Sequence, residues 1–312
     1  MTRAASPAGP PSAAKPEDDA AANTTGILRV GLVQLRSGRD PTANLDATAA
    51  LVREAAREGA RYVQTPEVTN IMELDRQVLF GQLREEADDN TLAALQQLTR
   101  ELGITLHIGS LALKVSDSRA VNRGFLIAPD GEITARYDKI HMFDVDLGNG
   151  ESYRESNAYR AGERAVLADV EGIRLGMSIC YDLRFPSLYR ALAEGGAQVL
   201  TVPSAFTRPT GEAHWHILLR ARAIENGAFV LAAAQAGRHE NGRETYGHSL
   251  VVDPWGRVIA EGGTDRGVIL AEIDMKDVAA ARARVPSLAN GRRFEIAEPG
   301  QIGHLHVVKA SS

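Results

Sequence analysis

The side chains whose types and placement point to chemistry are one cysteine, one lysine and two glutamates. Cys180, the only cysteine of the chain, ends the apolar run at 175–179, and Phe185-Pro186 follows with the proline set to open a helix. A thiol at the carboxyl end of a strand, where the chain turns sharply into a helix, is followed by backbone amides that can face a substrate oxygen. The thiolate is the nucleophile and a free thiol is mostly protonated at neutral pH. A carboxylate base or an ammonium is therefore needed beside it. Glu67 and Lys139 each follow a β-rich run, so both could stand at strand ends as Cys180 does. A buried carboxylate would have its pKa raised, and a lysine ammonium offsets that. Taken singly, each residue has a plainer reading. Most free cysteines are small buried hydrophobes, Glu67 suits a helix cap or surface, and Lys139 suits an edge strand.

Such residues need a scaffold that gathers strand ends. The first strand, ILRVGLVQL, starts at Ile27, and Asp40-Pro41 then makes an N-cap and N1 pair. The helix it opens runs to Gly59, with Leu45, Thr48, Ala49, Val52, Ala55 and Ala56 on one face. A strand over 62–65 ends in Pro66-Glu67. Asp88, Asp89 and Asn90 open a helix with Leu92, Leu95, Leu98 and Leu102 on one face, Gly103 closes it, and 104–113 is the third strand. Pro129-Asp130-Gly131 turns a hairpin of 125–128 and 132–137 whose return runs straight into Lys139. The stretch 143–165 has little periodicity and reads as a long loop, which in a compact domain is usually functional. It carries Glu151 and Glu155. A second hairpin turns at Glu171-Gly172 and leads into Cys180. Beyond it the spacing predicts a helix over 187–194, a strand over 198–202 and a helix over 212–226 opened by Thr210-Gly211. A strand over 229–234 follows, then strands over 248–253 and 258–260 about Pro254-Trp255-Gly256. A strand over 267–273 and a helix over 275–284 complete the pattern. Alternation broken by hairpins means a mixed α/β sheet.

Composition narrows the function. At 312 residues, 44% hydrophobic and 24% charged, the chain suits a globular protein with a sizeable core. Its 35 basic and 40 acidic residues give a net charge of −5, which argues against nucleic acid or an anionic membrane as partner. One cysteine excludes an internal disulfide and a Cys-rich metal site, and it fits a reducing compartment. No apolar run approaches the roughly 18 to 20 residues that span a bilayer. Residues 1–26 read as a disordered tail. Its Ala-, Pro- and Ser-rich part, with Glu17, Asp18 and Asp19, lacks the apolar block of a secretory signal, which points to the cytoplasm. The domain then covers 27–290, and 291–312 is an extension that wraps outward toward a partner subunit. Gly109, Gly124 and Gly131 make no dinucleotide fingerprint, so no cofactor is expected. His214 and His216 are two apart on a helix and face different sides, so no metal site is expected.

Glu67, Lys139 and Cys180 lie in TPE, RYDKIHMFDVD and GMSICYDLRFP, and VPSAFTRPTGEAHW, LLRARAIEN and YGHSLVVDPWG follow. Together these segments resemble the nitrilase (carbon-nitrogen hydrolase) superfamily, over nearly everything from Ile27 to about 290. KIHMFDVDL and CYDLRFPSLYR are similar to its branch of ω-amidases and deaminated-glutathione amidases, and FVLAAAQAG resembles the latter. His216 departs from the branch, where a glutamate is common after the tryptophan. The resemblance implies a four-layer α-β-β-α sandwich that dimerises, or assembles further, into a longer layered sandwich. It also implies roles: Cys180 attacks the amide carbon and forms a thioester, and Glu67 is the general base. Lys139 stabilises the oxyanion with the backbone N–H of Tyr181 as a second donor. Glu155 positions Lys139 and the substrate, with Glu151 the weaker candidate. On the substrate side, Arg184 would hold a carboxylate bidentately or else pair with a nearby carboxylate. Phe206 and Thr210 sit at the edge where ligands bind in open α/β sheets. Arg222 and Glu225, three apart, read as a structural ion pair. The expected function is a thiol amidase that hydrolyses a small linear carboxamide resembling deaminated glutathione and releases ammonia. The alternatives are an ω-amidase on α-ketoglutaramate, an N-carbamoyl amidohydrolase or a nitrilase. An inactive scaffolding dimer is disfavoured, because a decayed site usually loses one of the three residues.

Overall fold

Alternating β-rich runs and amphipathic helices fold into two six-stranded sheets in a computed structural model that describes residues 26–148 and 151–296. The expected tail, except residue 26, and the part of the C-terminal extension beyond 296 lie outside the described residues. The chain begins with β1 (Ile27–Gln34), α1 (Pro41–Arg57), β2 (Tyr62–Gln64), α2 (Arg76–Gln82) and α3 (Asn90–Leu102). Then come β3 (Thr105–Ser116), β4 (Arg119–Ile127), β5 (Ile133–Asp138) and a hairpin of β6 (Asp144–Gly148) and β7 (Glu151–Arg154). The second half holds β8 (Val166–Val170), β9 (Ile173–Met177), α4 (Pro186–Glu194), β10 (Val199–Thr201), α5 (Arg208–Asn226) and β11 (Phe229–Ala232). A ribbon of β12 (Ala236–Arg238) and β13 (Glu244–Tyr246) leads to β14 (Leu250–Val252) and β15 (Val258–Glu261). Finally β16 (Gly267–Asp274) crosses back to the first sheet and α6 (Met275–Arg284) follows.

The sheets have strand orders β16-β1-β2-β3-β4-β5 and β15-β14-β11-β10-β9-β8. In each, three neighbouring strands are parallel (β1, β2 and β3; β9, β10 and β11) and antiparallel strands flank them. Side-chain alternation along β1 explains the layering. Leu28, Val30 and Leu32 face the second sheet, where Leu175, Met177, Val199 and Phe229 share one buried cluster with them. Val33 looks the other way and joins Val52 and Ala55 of α1 and Leu92 and Leu95 of α3. Trp215 and Leu219 of α5 and Tyr189 of α4 cover the far side of the second sheet. The result is the expected α-β-β-α sandwich.

The helix ends are built as the sequence leads one to expect. The Asp40 carboxylate accepts from Thr42 N and that of Asp89 from Leu92 N, while Gly103 closes α3 in the left-handed conformation. At Gly109 the packing leaves no room for a side chain. A β-carbon there would lie 2.1 Å from the Thr65 carbonyl oxygen and 2.4 Å from Pro203 Cβ. Only glycine lets the strand ends that precede Glu67 and Ser204 come together.

Four expectations are corrected. The 143–165 stretch is not structureless: it forms the β6–β7 hairpin and a 3₁₀ turn at Glu155–Asn157, whose short exposed strands leave little pattern to read. The helix α2 was not foreseen, since seven residues that bury only Leu79 carry too little periodicity. The α5 helix begins at Arg208, not after Gly211, with Pro209 in its first turn. Gly211 is inside the helix because the Tyr246 side chain stands 2.3 Å from where its β-carbon would be. The strand expected from His248 begins at Leu250, because His248 has a left-handed backbone, φ 53°.

Candidate active site

Each chemistry-bearing residue follows a strand, and the stacking of the sheets brings them to one place. Glu67 comes three residues after β2, in a turn held by Val68 N donating to Ser110 Oγ at 2.8 Å and by the Thr65–Thr69 hydroxyl pair at 2.8 Å. Lys139 directly follows β5, its N–H bonded to the Asn122 carbonyl at 3.0 Å. Cys180 comes three residues after β9 and donates its N–H to the Pro203 carbonyl at 2.9 Å. Its φ is 50°, the left-handed region that non-glycine residues rarely occupy. Asp182 holds this turn. Fully buried, it accepts from Ile179 N at 2.9 Å, Tyr137 Oη at 2.7 Å and His141 N at 3.0 Å.

Glu67, Lys139 and Cys180 are 4%, 2% and 6% exposed, so their charges interact with little screening. Lys139 Nζ donates to Glu67 Oε1 at 2.9 Å and to both oxygens of Glu155, at 3.1 and 2.8 Å. Glu155 is fixed in turn by Phe143 N at 2.7 Å. Glu67 Oε1 also accepts from Asn122 Nδ2 at 2.9 Å, and Glu67 Oε2 accepts from Ala205 N at 2.9 Å. The Cys180 thiol shares the cavity with the Glu67 carboxylate and feels its charge. Burial works to raise the Glu67 pKa, but the Lys139 charge, the bond from Lys139 and the field of Arg243 hold it below the usual carboxylate value. Burial also works to depress Lys139, and Glu155 and Glu67 overcome it and hold the ammonium well above its usual pKa. Burial, then the Glu67 charge, pushes the Cys180 thiol up.

These groups open into a cavity of about 330 Å³ whose lining includes Tyr181, Arg184, Phe206 and Thr210. Glu67, Lys139, Glu155 and Cys180 therefore line one space with the four substrate-side candidates Tyr181, Arg184, Phe206 and Thr210. Arg184 lies over the Phe206 ring at 5.4 Å and meets His214 Nδ1 at 3.3 Å, and no carboxylate among the described residues pairs with it. Glu151 is exposed on β7 and outside the cluster. Arg222 pairs with Glu225 Oε1 at 2.9 Å, away from the cavity.

Three residues of the site were not foreseen. Asn122 bridges Glu67 and, at 3.3 Å, Glu155. The one sign of it was a polar residue within the apolar run of β4. Asp182 stood two residues after Cys180 with nothing local to reveal its partners. Arg243, in the β12–β13 ribbon, lines the cavity, bonds the Ala205 carbonyl at 2.5 Å and lies over Tyr153 at 5.4 Å. No pattern in the ribbon marks it. His214 and His216 do face different sides, yet His216 meets His248 and Glu261 across the fold.

The carbon-nitrogen hydrolase family model matches residues 29–283. The deaminated glutathione amidase of Yersinia enterocolitica is 39% identical over 267 residues, 84% of this chain and 92% of that relative. The omega-amidase NIT2 of Mus musculus is 34% identical over 265 residues, 85% of this chain and 95% of that relative. Among solved structures, the C. elegans NitFhit protein superposes with a TM-score of 0.80 at 36% identity, covering 86% of this chain and 66% of its own. A variant of the amidase from Nesterenkonia sp. AN1, which carries the acetamide moiety of fluoroacetamide on its active site cysteine, superposes with a TM-score of 0.74 at 27% identity. That match covers 87% of this chain and 96% of the amidase.

Proposed function

The chain belongs to the carbon-nitrogen hydrolase family and hydrolyses carbon–nitrogen bonds of linear amides, and from that membership we propose a thiol mechanism centred on Cys180. The observation that carries the proposal is the buried Glu67 carboxylate, paired with Lys139 Nζ at 2.9 Å, in one cavity with the buried Cys180 thiol. At rest the thiol keeps its proton. As Sγ attacks the amide carbon, the proton passes to Glu67 and the carbonyl electrons move to oxygen. Lys139 Nζ and the Tyr181 backbone N–H meet the oxyanion. Glu67 returns the proton to the leaving nitrogen as the C–N bond breaks, which leaves a thioester. Water then gives Glu67 a proton, attacks the thioester and releases the acid, and the proton goes back to sulfur. Glu155 and Asn122 act through Lys139 and Glu67 and are positioning residues.

The substrate reading is an amide that carries a carboxylate. Arg184 and Arg243 are two guanidinium groups at the cavity with no carboxylate partner among the described residues, and they suit such a group. The relatives named for deaminated glutathione and ω-amides support a 4-carboxamide of a 2-oxo acid. Deaminated glutathione is the first candidate. Its leaving group is the amine of cysteinylglycine, whereas ammonia, the product expected from the sequence, leaves only from α-ketoglutaramate. Both yield α-ketoglutarate.

Purified protein offered deaminated glutathione, α-ketoglutaramate and an N-carbamoyl amino acid tests this reading. The expected result is α-ketoglutarate with the highest kcat/KM from deaminated glutathione. Carbon dioxide from the carbamoyl compound at a higher kcat/KM would overturn it. Cys180→Ala is expected to fold and to be inactive, and residual turnover in it would sink the thiol mechanism.

A further inference from the structure

His216, His248 and Glu261 lie apart from the catalytic cluster and come from three elements. His216 is in the middle of α5, His248 is between β13 and β14, and Glu261 ends β15. Their ligand atoms lie within 4.8 Å of one another. His216 Nε2 and His248 Nδ1 reach the same oxygen, Glu261 Oε1, at 2.9 and 2.8 Å. We propose that these three residues bind one borderline divalent transition metal of the Zn²⁺ class, which clips α5 to the strands beside it.

Donor type, spacing and fixity support the proposal. Two imidazoles and a carboxylate suit Zn²⁺ and its neighbours, whereas Ca²⁺ and Mg²⁺ favour sites built of oxygen. Bonds of about 2.0–2.2 Å in a tetrahedral site place donor atoms roughly 3.3 Å apart. Both N–O distances need to open by only a few tenths of an ångström, while the two nitrogens, within 4.8 Å of each other, settle at the same spacing as the ion enters. The three side chains are 32%, 25% and 39% exposed, so the fourth position opens to water.

The ligands are also held in place. His248 sits at φ 53°, its carbonyl accepts from Trp215 Nε1 at 2.7 Å, and its N–H donates to Gly263 O at 2.9 Å. The Tyr246 ring stacks on its imidazole at 4.3 Å and 26°. A backbone conformation this uncommon, enforced from both sides, is a frequent property of ligand clamps. Trp215, next to His216, is buried against Phe206 of the cavity. The ion would therefore brace the layer behind the active site without touching the reacting groups.

The test uses the full chain without an affinity tag, stripped by chelator and dialysed against Zn²⁺. One equivalent bound per chain is expected, with a visible d–d band when Co²⁺ replaces Zn²⁺. His216→Gln, His248→Asn and Glu261→Gln should each weaken uptake by more than about 100-fold, beyond what loss of an outer-shell partner does. Asparagine is chosen because it tolerates the left-handed backbone. A far-UV spectrum checks folding, and any variant that unfolds leaves the decision to the other two. Replacing His304 and His306, an H-x-H pair of the C-terminal segment, with alanine should leave uptake intact. The proposal fails if wild-type protein binds no stoichiometric metal, if the three variants bind as tightly as wild type, or if the His304/His306 variant loses the metal.

Discussion

A neutral thiol beside an ionised carboxylate is an economical resting state for a buried nucleophile. Two anions side by side in a low-dielectric site would be costly, and the proton transfer coupled to attack avoids them. Glu67→Gln cannot take the proton, but Lys139 keeps Glu155 as its partner, so the variant should fold. Its kcat is expected to fall by about 10²–10⁴-fold, the usual contribution of a general base, with slower alkylation of Cys180 by iodoacetamide. The depressed Glu67 pKa has a sign. The carboxylate stays ionised as pH falls toward the ordinary value of 4.5, so the acid limb of kcat/KM should lie below that pH. Initial rates after rapid pH jumps would measure it, and a limb above that value would contradict the assigned base. Arg243→Gln should mainly raise KM for a carboxylate substrate, by about tenfold or more, and leave an uncharged amide little affected.

Among the elements, β2 and β3 carry a buried histidine that ties stability to pH. His107 is shut between the layers with Tyr62 Oη at 2.8 Å from its Nδ1, and burial lowers its pKa from 6.5 to about 3. The unfolded chain takes up a proton below pH 6.5 and the folded one does not until about 3, so stability is lost as pH falls through that window. His239, lowered to about 4 by burial, acts in the same direction. Melting temperature should be flat above pH 6.5 and decline below it. In His107→Leu the decline should be shallower, while at pH 8 the variant should be less stable by about 1–3 kcal/mol, because the buried Tyr62 hydroxyl loses its hydrogen-bond partner. An unchanged slope would remove His107 from the account.

At the scale of the molecule, the exposed face of α5 calls for a cover. Ile217 and Ile224 are 69% and 52% exposed, seven residues apart and so on one side of the helix, with Trp255 46% exposed on the turn after β14. We propose that the domain, from 27 to about 290, dimerises through this face, as the nitrilase resemblance implies. Light scattering should then find a dimer for the wild type and a monomer for Ile217→Glu combined with Ile224→Glu. A dimer that survives both changes would place the contact elsewhere.

What could be read without a structure was local. The runs that make strands, the Asp40 and Asp89 caps and the residues that close each strand, Glu67, Lys139 and Cys180, are written in neighbouring positions. So are the motifs that led to the family. The tertiary structure decided what depends on distant partners. Lys139 reaches Glu67 across 72 positions and Glu67 takes the N–H of Ala205 across 138. Glu155, not Glu151, meets Lys139 because the β6–β7 hairpin ends beside it. Asn122, Asp182 and Arg243 join the site only once the two sheets stack. His216 and His248, 32 positions apart in the sequence, converge for the same reason. Periodicity records which face of an element is buried, whereas the packing of the layers determines what that face meets.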